Sequence, residues 1–246
     1  MPALGLLGFP LTHSFSKKYF SEKFSHPDLQ GWSYDNYELE TLEEFGLLIK
    51  LKTDLVGLNV TIPHKEEVMK QLDDVDEEAA EIGAVNTITI DEEGNTKGYN
   101  TDGYGFRKTL EPLMEERKVS ALILGTGGAA KAIQYVLRQL NIEFLSVSRS
   151  KEKGELTYDD LSREILRKNQ LIINTTPLGM HPNIETKPSI PYQHLSEENI
   201  LFDLTYNPAV TAFLQEGLKR NCVVENGQRM LELQAEKAWE IWNKSQ

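Results

Sequence analysis

Residues 119–150 read VSALILGTGGAAKAIQYVLRQLNIEFLSVSRS: an apolar run, a glycine-rich turn, a helical stretch and a second apolar run. That order within about 30 residues is one βαβ unit, and parallel strands joined this way need helices on their faces. Gly125 permits the tight turn off the first strand. Gly127 lets the backbone approach a pyrophosphate, and Ala130, at the third position, lets helix and strand pack closely. The helix that follows aims its first N–H groups and the positive end of its dipole at the same place. Dinucleotide binding by Gly125, Thr126, Gly127, Gly128, Ala129 and Ala130 is therefore expected. At the tip of the second strand, Ser148-Arg149-Ser150 stand where an NAD site would carry Asp or Glu on the ribose 2′-hydroxyl. A guanidinium flanked by hydroxyls suits a 2′-phosphate, so the expected cofactor is NADP(H).

Strand and helix patterns alternate on both sides of this unit, which predicts an α/β protein with largely parallel sheets. Ahead of it come a strand at 4–9, a helix with Phe15, Tyr19, Phe20 and Phe24 on one face, and a strand at 33–39. A helix carrying Leu42, Phe45, Leu48 and Ile49 follows, then a strand at 55–61 and a helix from about Lys65. Two further strands are joined by the turn Asp91-Glu-Glu-Gly-Asn95. Behind the unit come LIINTT, ILFDLTY, a helix from about Ala209, a strand at 222–225 and a last helix with Leu231, Ala235, Ala238 and Trp242 on one stripe. At 246 residues the chain suits two domains. Residues 1–101 with 228–246 are expected to form a mixed-sheet substrate domain, and 102–227 a Rossmann-like dinucleotide domain, with a cleft between them.

The net charge of −12 argues against a nucleic-acid or anionic-membrane surface. No apolar run approaches the ~20 residues that span a bilayer. The start of the chain reads as a strand rather than a signal peptide, and the single cysteine, Cys222, as a small core residue. A reduced, cytoplasmic protein is expected, with no metal.

Several polar residues of the first half fall at strand ends or turns: Ser14, Ser16, Asn59, Thr61, Lys65, Asn86 and Asp102. Any one of them could cap a helix or satisfy a turn. In an α/β sheet, however, the carboxyl ends of parallel strands open on a common crevice. Pro63 lacks an N–H and fixes φ, so Lys65 in Asn59-Val-Thr-Ile-Pro-His-Lys65 projects from a stiff junction.

These stretches occur together in a recognisable order. Ser14-Phe-Ser16, NVTIPHK from Asn59, GAVNT from Gly83, NTDGYG from Asn100 and GTGGAA from Gly125 are followed by NTTPLGM from Asn174, DLTYNP from Asp203 and NGQRMLELQA from Asn226. Over almost its whole length the chain resembles the shikimate dehydrogenase family. The resemblance implies reversible reduction of 3-dehydroshikimate to shikimate by NADPH, on the route to aromatic amino acids. It implies that Ser14 and Ser16 hold the substrate carboxylate with Tyr206 near it, and that Thr61, Asn86, Asp102 and Gln234 bind the ring hydroxyls. Lys65 and Asp102 match the catalytic pair. Ser148, Arg149 and Ser150 match the 2′-phosphate loop, Leu204 and Gly227 the nicotinamide end, and Glu77 a further cofactor contact. The implied partners are small molecules, in a monomer or homodimer.

The family pattern is not copied everywhere. Ser-Arg-Ser replaces the common Asn-Arg-Thr, Leu204 stands where methionine is frequent, and the short stretch from Arg149 to Asn174 predicts a cofactor domain trimmed by a helix. Three rivals are weighed by residues. A quinate/shikimate enzyme accepting NAD needs room beside the serines for one more hydroxyl. A non-catalytic NADP-binding sensor predicts loss of Lys65 or Asp102, and both are present. A related dehydrogenase acting on a folate is disfavoured by the serine pair and Gln234.

Overall fold

A computed structural model describes residues 1–11, 15–114 and 117–244. Its chain divides into two compact units, Met1–Tyr104 with Gln234–Gln246, and Gly105–Leu233. Both crossings fall inside helices, a few residues beyond the positions 102 and 228 drawn from sequence pattern.

In the first unit the elements are β1 (Ala3–Gly8), α1 (Phe15–Phe24), β2 (Ser33–Glu38), α2 (Phe45–Leu51), β3 (Leu55–Val60), β4 (Asp74–Val75), α3 (Glu77–Ile82), β5 (Thr87–Ile90), β6 (Thr96–Tyr99) and the start of α4 (Asp102–Leu110). The sheet order is β2-β1-β3-β5-β6-β4. β1 lies parallel to both β2 and β3, and the β5–β6 hairpin is added antiparallel to β3. β1 is buried on both faces, as an unbroken apolar strand requires. Leu7, Leu58, Val60 and Ile88 face Phe45 and Val68 on one side. Leu4 and Leu6 face Phe20, Phe24, Tyr34 and the stripe Ala235, Ala238 and Trp242 on the other.

The second unit contains the rest of α4, β7 (Ala121–Leu124), α5 (Gly128–Gln139), β8 (Phe144–Ser148), β9 (Leu156–Thr157), α6 (Arg163–Lys168), β10 (Leu171–Asn174), β11 (Ile200–Asp203), α7 (Ala212–Leu218), β12 (Val223–Glu225) and the start of α8 (Gln228–Lys244). All neighbours in its sheet, β9-β8-β7-β10-β11-β12, are parallel. Along β7 the two-residue period sorts the side chains: Ala121 and Ile123 pack under α5, while Leu122 and Leu124 pack with Leu214 of α7 and Leu166 of α6. Helices on both faces of a parallel sheet make this unit doubly wound, the α/β class that alternation predicts.

Three local features bear on the sequence reading. No α-helix begins at Lys65; turns run through residues 62–66, and a 3₁₀ helix, Glu67–Gln71, follows. Lys65 therefore gains little from a helix dipole. The strand β4 and helix α3 were not anticipated, because two residues of strand and six of helix show too little periodicity. Between β8 and β10 the stretch is short, and no α-helix joins β8 to its parallel neighbour β9. It holds β9, a single 3₁₀ turn and the six-residue α6.

Candidate active site

Lys65 and Asp102 meet. Lys65 Nζ lies 2.7 Å from Asp102 Oδ2, with side-chain exposures of 18% and 9%. Two elements make the meeting possible: the turn after β3 carries the lysine, and the first residue of α4 carries the aspartate. Val85 N–H donates to the Lys65 carbonyl at 2.7 Å, which ties that turn to the chain entering β5. The other carboxylate oxygen, Oδ1, accepts from Asn86 Nδ2 at 2.9 Å. Asn86 is fixed in turn, because its Oδ1 accepts the Thr101 backbone N–H at 2.7 Å and the Thr87 hydroxyl at 3.1 Å. Gln234 of α8 completes the group, its Oε1 accepting from Asn86 Nδ2 and from the Thr101 hydroxyl, each at 3.4 Å. A half-buried amine held by a carboxylate, with amides and hydroxyls behind it, can orient a hydroxylated ring and move a proton at one of its oxygens.

Of the other first-unit residues predicted from sequence, Thr61 sits at the end of β3, where its N–H donates to Leu7 O at 2.9 Å. Ser16 is half-buried on the first turn of α1. Ser14 lies outside the described residues. Glu77 is the exposed first residue of α3, where an acidic side chain suits the helix start, and no hydrogen bond or ion pair joins it to another site residue among those described. Sequence reasoning left out Tyr34, Thr87 and Thr101 and gave Asn59 no role. The one signal for Tyr34 was a tyrosine, rather than phenylalanine, at an inward position of β2.

In the second unit the glycine turn fits a dinucleotide. Gly125 has φ +116°, and a Cβ there would press on the Thr175 hydroxyl. Gly127 caps α5, and a Cβ there would meet nothing within 4 Å, so the space over the turn is open to a phosphate. Thr126, Gly128 and Ala129 line the same turn, and Ala130 is fully buried against β7. At the end of β8 the exposed Arg149 has no ion pair among the described residues, and Ser148 Oγ accepts the Ser150 N–H at 3.3 Å. Burial pushes the Tyr158 phenol above its ordinary range, and the nearby Arg149 charge offsets this only in part.

The carboxyl ends of β10 and β11 are locked by Asp203, which has no exposed surface. Its Oδ1 accepts from Asn174 Nδ2 and Thr205 N, both at 3.0 Å, and its Oδ2 from the Thr211 hydroxyl at 2.6 Å. Burial pushes its carboxyl above the ordinary range, against the pull of those donors. This lock sets the backbone of Leu204, Thr205 and Tyr206, and Gly227 N–H donates to Thr205 O at 3.1 Å. Tyr206 itself is half-buried, with its phenol raised by burial. Among the described residues no cluster could hold a metal ion, and no helix is long and apolar enough to cross a membrane. Cys222 is buried, as expected, with its thiol donating to Ser196 O.

A family model for the shikimate dehydrogenase substrate binding domain matches residues 6–88. A shikimate dehydrogenase (NADP(+)) of Methanococcus aeolicus is 38% identical over 97% of this chain and 91% of its own. The chain belongs to the shikimate dehydrogenase family. Membership makes it an oxidoreductase. The solved shikimate 5-dehydrogenase of Thermus thermophilus, in complex with NADP(H) and shikimate, is 31% identical with a TM-score of 0.87, over 99% of this chain and 94% of that one. That of Listeria monocytogenes, in complex with shikimate and NAD, is 27% identical with a TM-score of 0.82, over 99% and 92%. Both support two α/β domains of the kind described above.

Proposed function

We propose that the protein catalyses the reversible reduction of 3-dehydroshikimate to shikimate with NADPH, with Lys65 and Asp102 as its acid–base pair. The 2.7 Å contact between Lys65 Nζ and Asp102 Oδ2 carries this reading. The reduced nicotinamide supplies the hydride when bound, and the protein must supply orientation and a proton. As the ketone carbon accepts the hydride, its C=O pair moves onto oxygen, and the Lys65 ammonium gives that oxygen a proton. In the oxidative direction the neutral amine takes the hydroxyl proton. Asp102 fixes the direction of the amine and, with Asn86, Thr61 and Gln234, holds the ring hydroxyls. Ser14, Ser16 and Tyr206 take the carboxylate.

NADP(H) fits the turn Gly125–Ala130 and the Ser148–Ser150 tip, with Leu204 and Gly227 at the nicotinamide end and Glu77 as an outlying contact. Arg149, exposed and without an acidic partner among the described residues, is suited to a 2′-phosphate. Absorbance at the reduced-nicotinamide band, with shikimate and quinate each offered NADP and NAD, tests the whole reading. Shikimate with NADP is expected to give the highest kcat/KM. A preference for quinate with NAD would replace it by the quinate/shikimate reading. Arg149→Asp is expected to raise KM for NADP at least about tenfold, the loss of one charge-assisted bond pair, while KM for NAD changes little. Equal changes would remove the argument from Arg149.

A further inference from the structure

Thr87 opens β5 and is fully buried, and neither the acid–base pair nor the family resemblance gives its side chain a role. Strand register places it directly opposite Asn59 of β3. The hydrogen bonds around it have fixed directions, which follow from two groups that play only one part. The Asn86 carbonyl only accepts, so Asn59 turns its Nδ2 toward it, at 3.3 Å. Asn59 Oδ1 then faces Tyr34, whose hydroxyl donates to it at 2.7 Å. The same Asn59 Nδ2 donates to Thr87 Oγ1 at 3.3 Å. The second such group is the Thr101 backbone N–H, which only donates and holds Asn86 Oδ1 at 2.7 Å. With Asn59 on one lone pair, Thr87 gives its single proton to that same Asn86 Oδ1 at 3.1 Å. The other end of the amide, Nδ2, then donates to Asp102 Oδ1 at 2.9 Å, while Lys65 holds Oδ2.

We propose that Thr87 is a positioning residue for the acid–base pair, setting the plane of the Asn86 amide and so the seat of the Asp102 carboxylate. The proposal rests on the reading of Lys65 and Asp102 as that pair. One donor on Asn86 Oδ1 fixes where the oxygen sits but lets the amide plane tilt about that bond. Two donors from different elements, the Thr101 N–H ahead of α4 and the Thr87 hydroxyl on β5, fix the plane, because a carbonyl oxygen takes its donors near it. The Thr101 hydroxyl does not make this choice. It lies 3.0 Å from Asn86 Nδ2 and 3.2 Å from Asn86 Oδ1, and suits either end of the amide. Asn59 and Tyr34, 3% and 5% exposed, hold the Thr87 proton to its one direction away from solvent. A tilted amide frees Asp102 Oδ1, and the Lys65 amine shifts with Oδ2. Misplacing a reacting group by about 1 Å costs on the order of 10²-fold in rate, so a lesser tilt is read in kcat.

The test is Thr87→Val, which keeps the shape of the side chain and removes the hydroxyl. kcat for shikimate oxidation is expected to fall about tenfold, with KM for shikimate raised no more than about threefold and KM for NADP unchanged. Thr87→Ser, which keeps the hydroxyl, should hold kcat within about twofold of wild type. Because Thr87 acts through the Asn86 amide, Asn86→Ala and Asn86→Ala/Thr87→Val should share one kcat. A purely structural threonine would lower the thermal midpoint and leave kcat alone, or would lower kcat equally with and without the Asn86 amide; either result overturns the proposal. Should Thr87→Val not fold, Tyr34→Phe asks the same question, since the ring stays stacked on Phe20 and only the hydroxyl that seats Asn59 is lost. kcat should then fall about threefold with Asn86 present and not at all in Asn86→Ala, and an unchanged kcat overturns the proposal. Wild-type protein that oxidises shikimate beside a fully active Thr87→Val sinks this inference only. Wild-type protein that does not oxidise shikimate sinks the parent reading and this one together.

Discussion

Replacing Lys65 by methionine is expected to lower kcat for shikimate oxidation by about 10²–10⁴-fold, the usual contribution of a positioned general acid–base. KM for NADP should stay within about twofold, since the amine bonds to Asp102 in the first unit and the glycine turn belongs to the second. A variant retaining more than a tenth of wild-type turnover would contradict the role. Loss of folding must be separated from loss of chemistry, because the substitution strips a 9%-exposed carboxylate of its ammonium partner. Removing one member of a buried pair costs about 3–5 kcal/mol, and here less, because Asn86 still donates to Oδ1 and the lysine is partly solvated. Lys65→Met/Asp102→Asn removes both charges together. It should recover most of the lost thermal midpoint and none of the lost turnover. If turnover returns with stability, Lys65 is a structural cation.

The second large effect is expected at Gly227, just ahead of α8. A Cβ there would be driven into the backbone carbonyl of Leu204, which cannot swing aside as a side-chain tip could. Asp203 anchors the chain on either side of that carbonyl through Asn174 and Thr205, so the strain cannot be absorbed by β11. Gly227→Ala should therefore destabilise the second unit by about 1–3 kcal/mol, the range for overpacking. It should also raise KM for NADP at least about tenfold, one 1.4 kcal/mol step, because the proposed cofactor site puts Leu204 and Gly227 at the nicotinamide end. Thermal unfolding and nucleotide titration read the two effects separately. An alanine variant with wild-type midpoint and wild-type NADP affinity would show that the Leu204–Gly227 contact relaxes freely.

Much of the second unit was legible because local rules and the global fold agree there. The apolar β7, the left-handed Gly125, the open Gly127 and the buried Ala130 each carry a signature that depends only on near neighbours in sequence. Around Lys65 the reading was half right. The proline junction and the lysine were plain, but the 3₁₀ helix after them was not, since five residues with one buried side chain hold too little pattern to separate from a short α-helix. Asp102 was identified through its motif, whereas its neighbours Thr87 and Thr101 look like ordinary turn and strand threonines until their hydroxyls are seen on Asn86.

The sequence by itself determined the class of the fold, the order of most of its elements, the glycine turn and which lysine and aspartate to propose as the acid–base pair. Those features rest on periodicity and on short motifs, which act over a few residues. Only the tertiary structure decided which side chains meet: Lys65 with Asp102 across 37 positions, Asn86 with Gln234 across 148, Tyr34 with Asn59 across 25. A hydrogen bond needs its partners within about 3 Å and in line, and no local rule sets distance or direction between segments so far apart in the chain. Strand register and core packing set them. They put a buried tyrosine, unremarkable as a letter, on an asparagine that bonds in turn to Asn86 and Thr87.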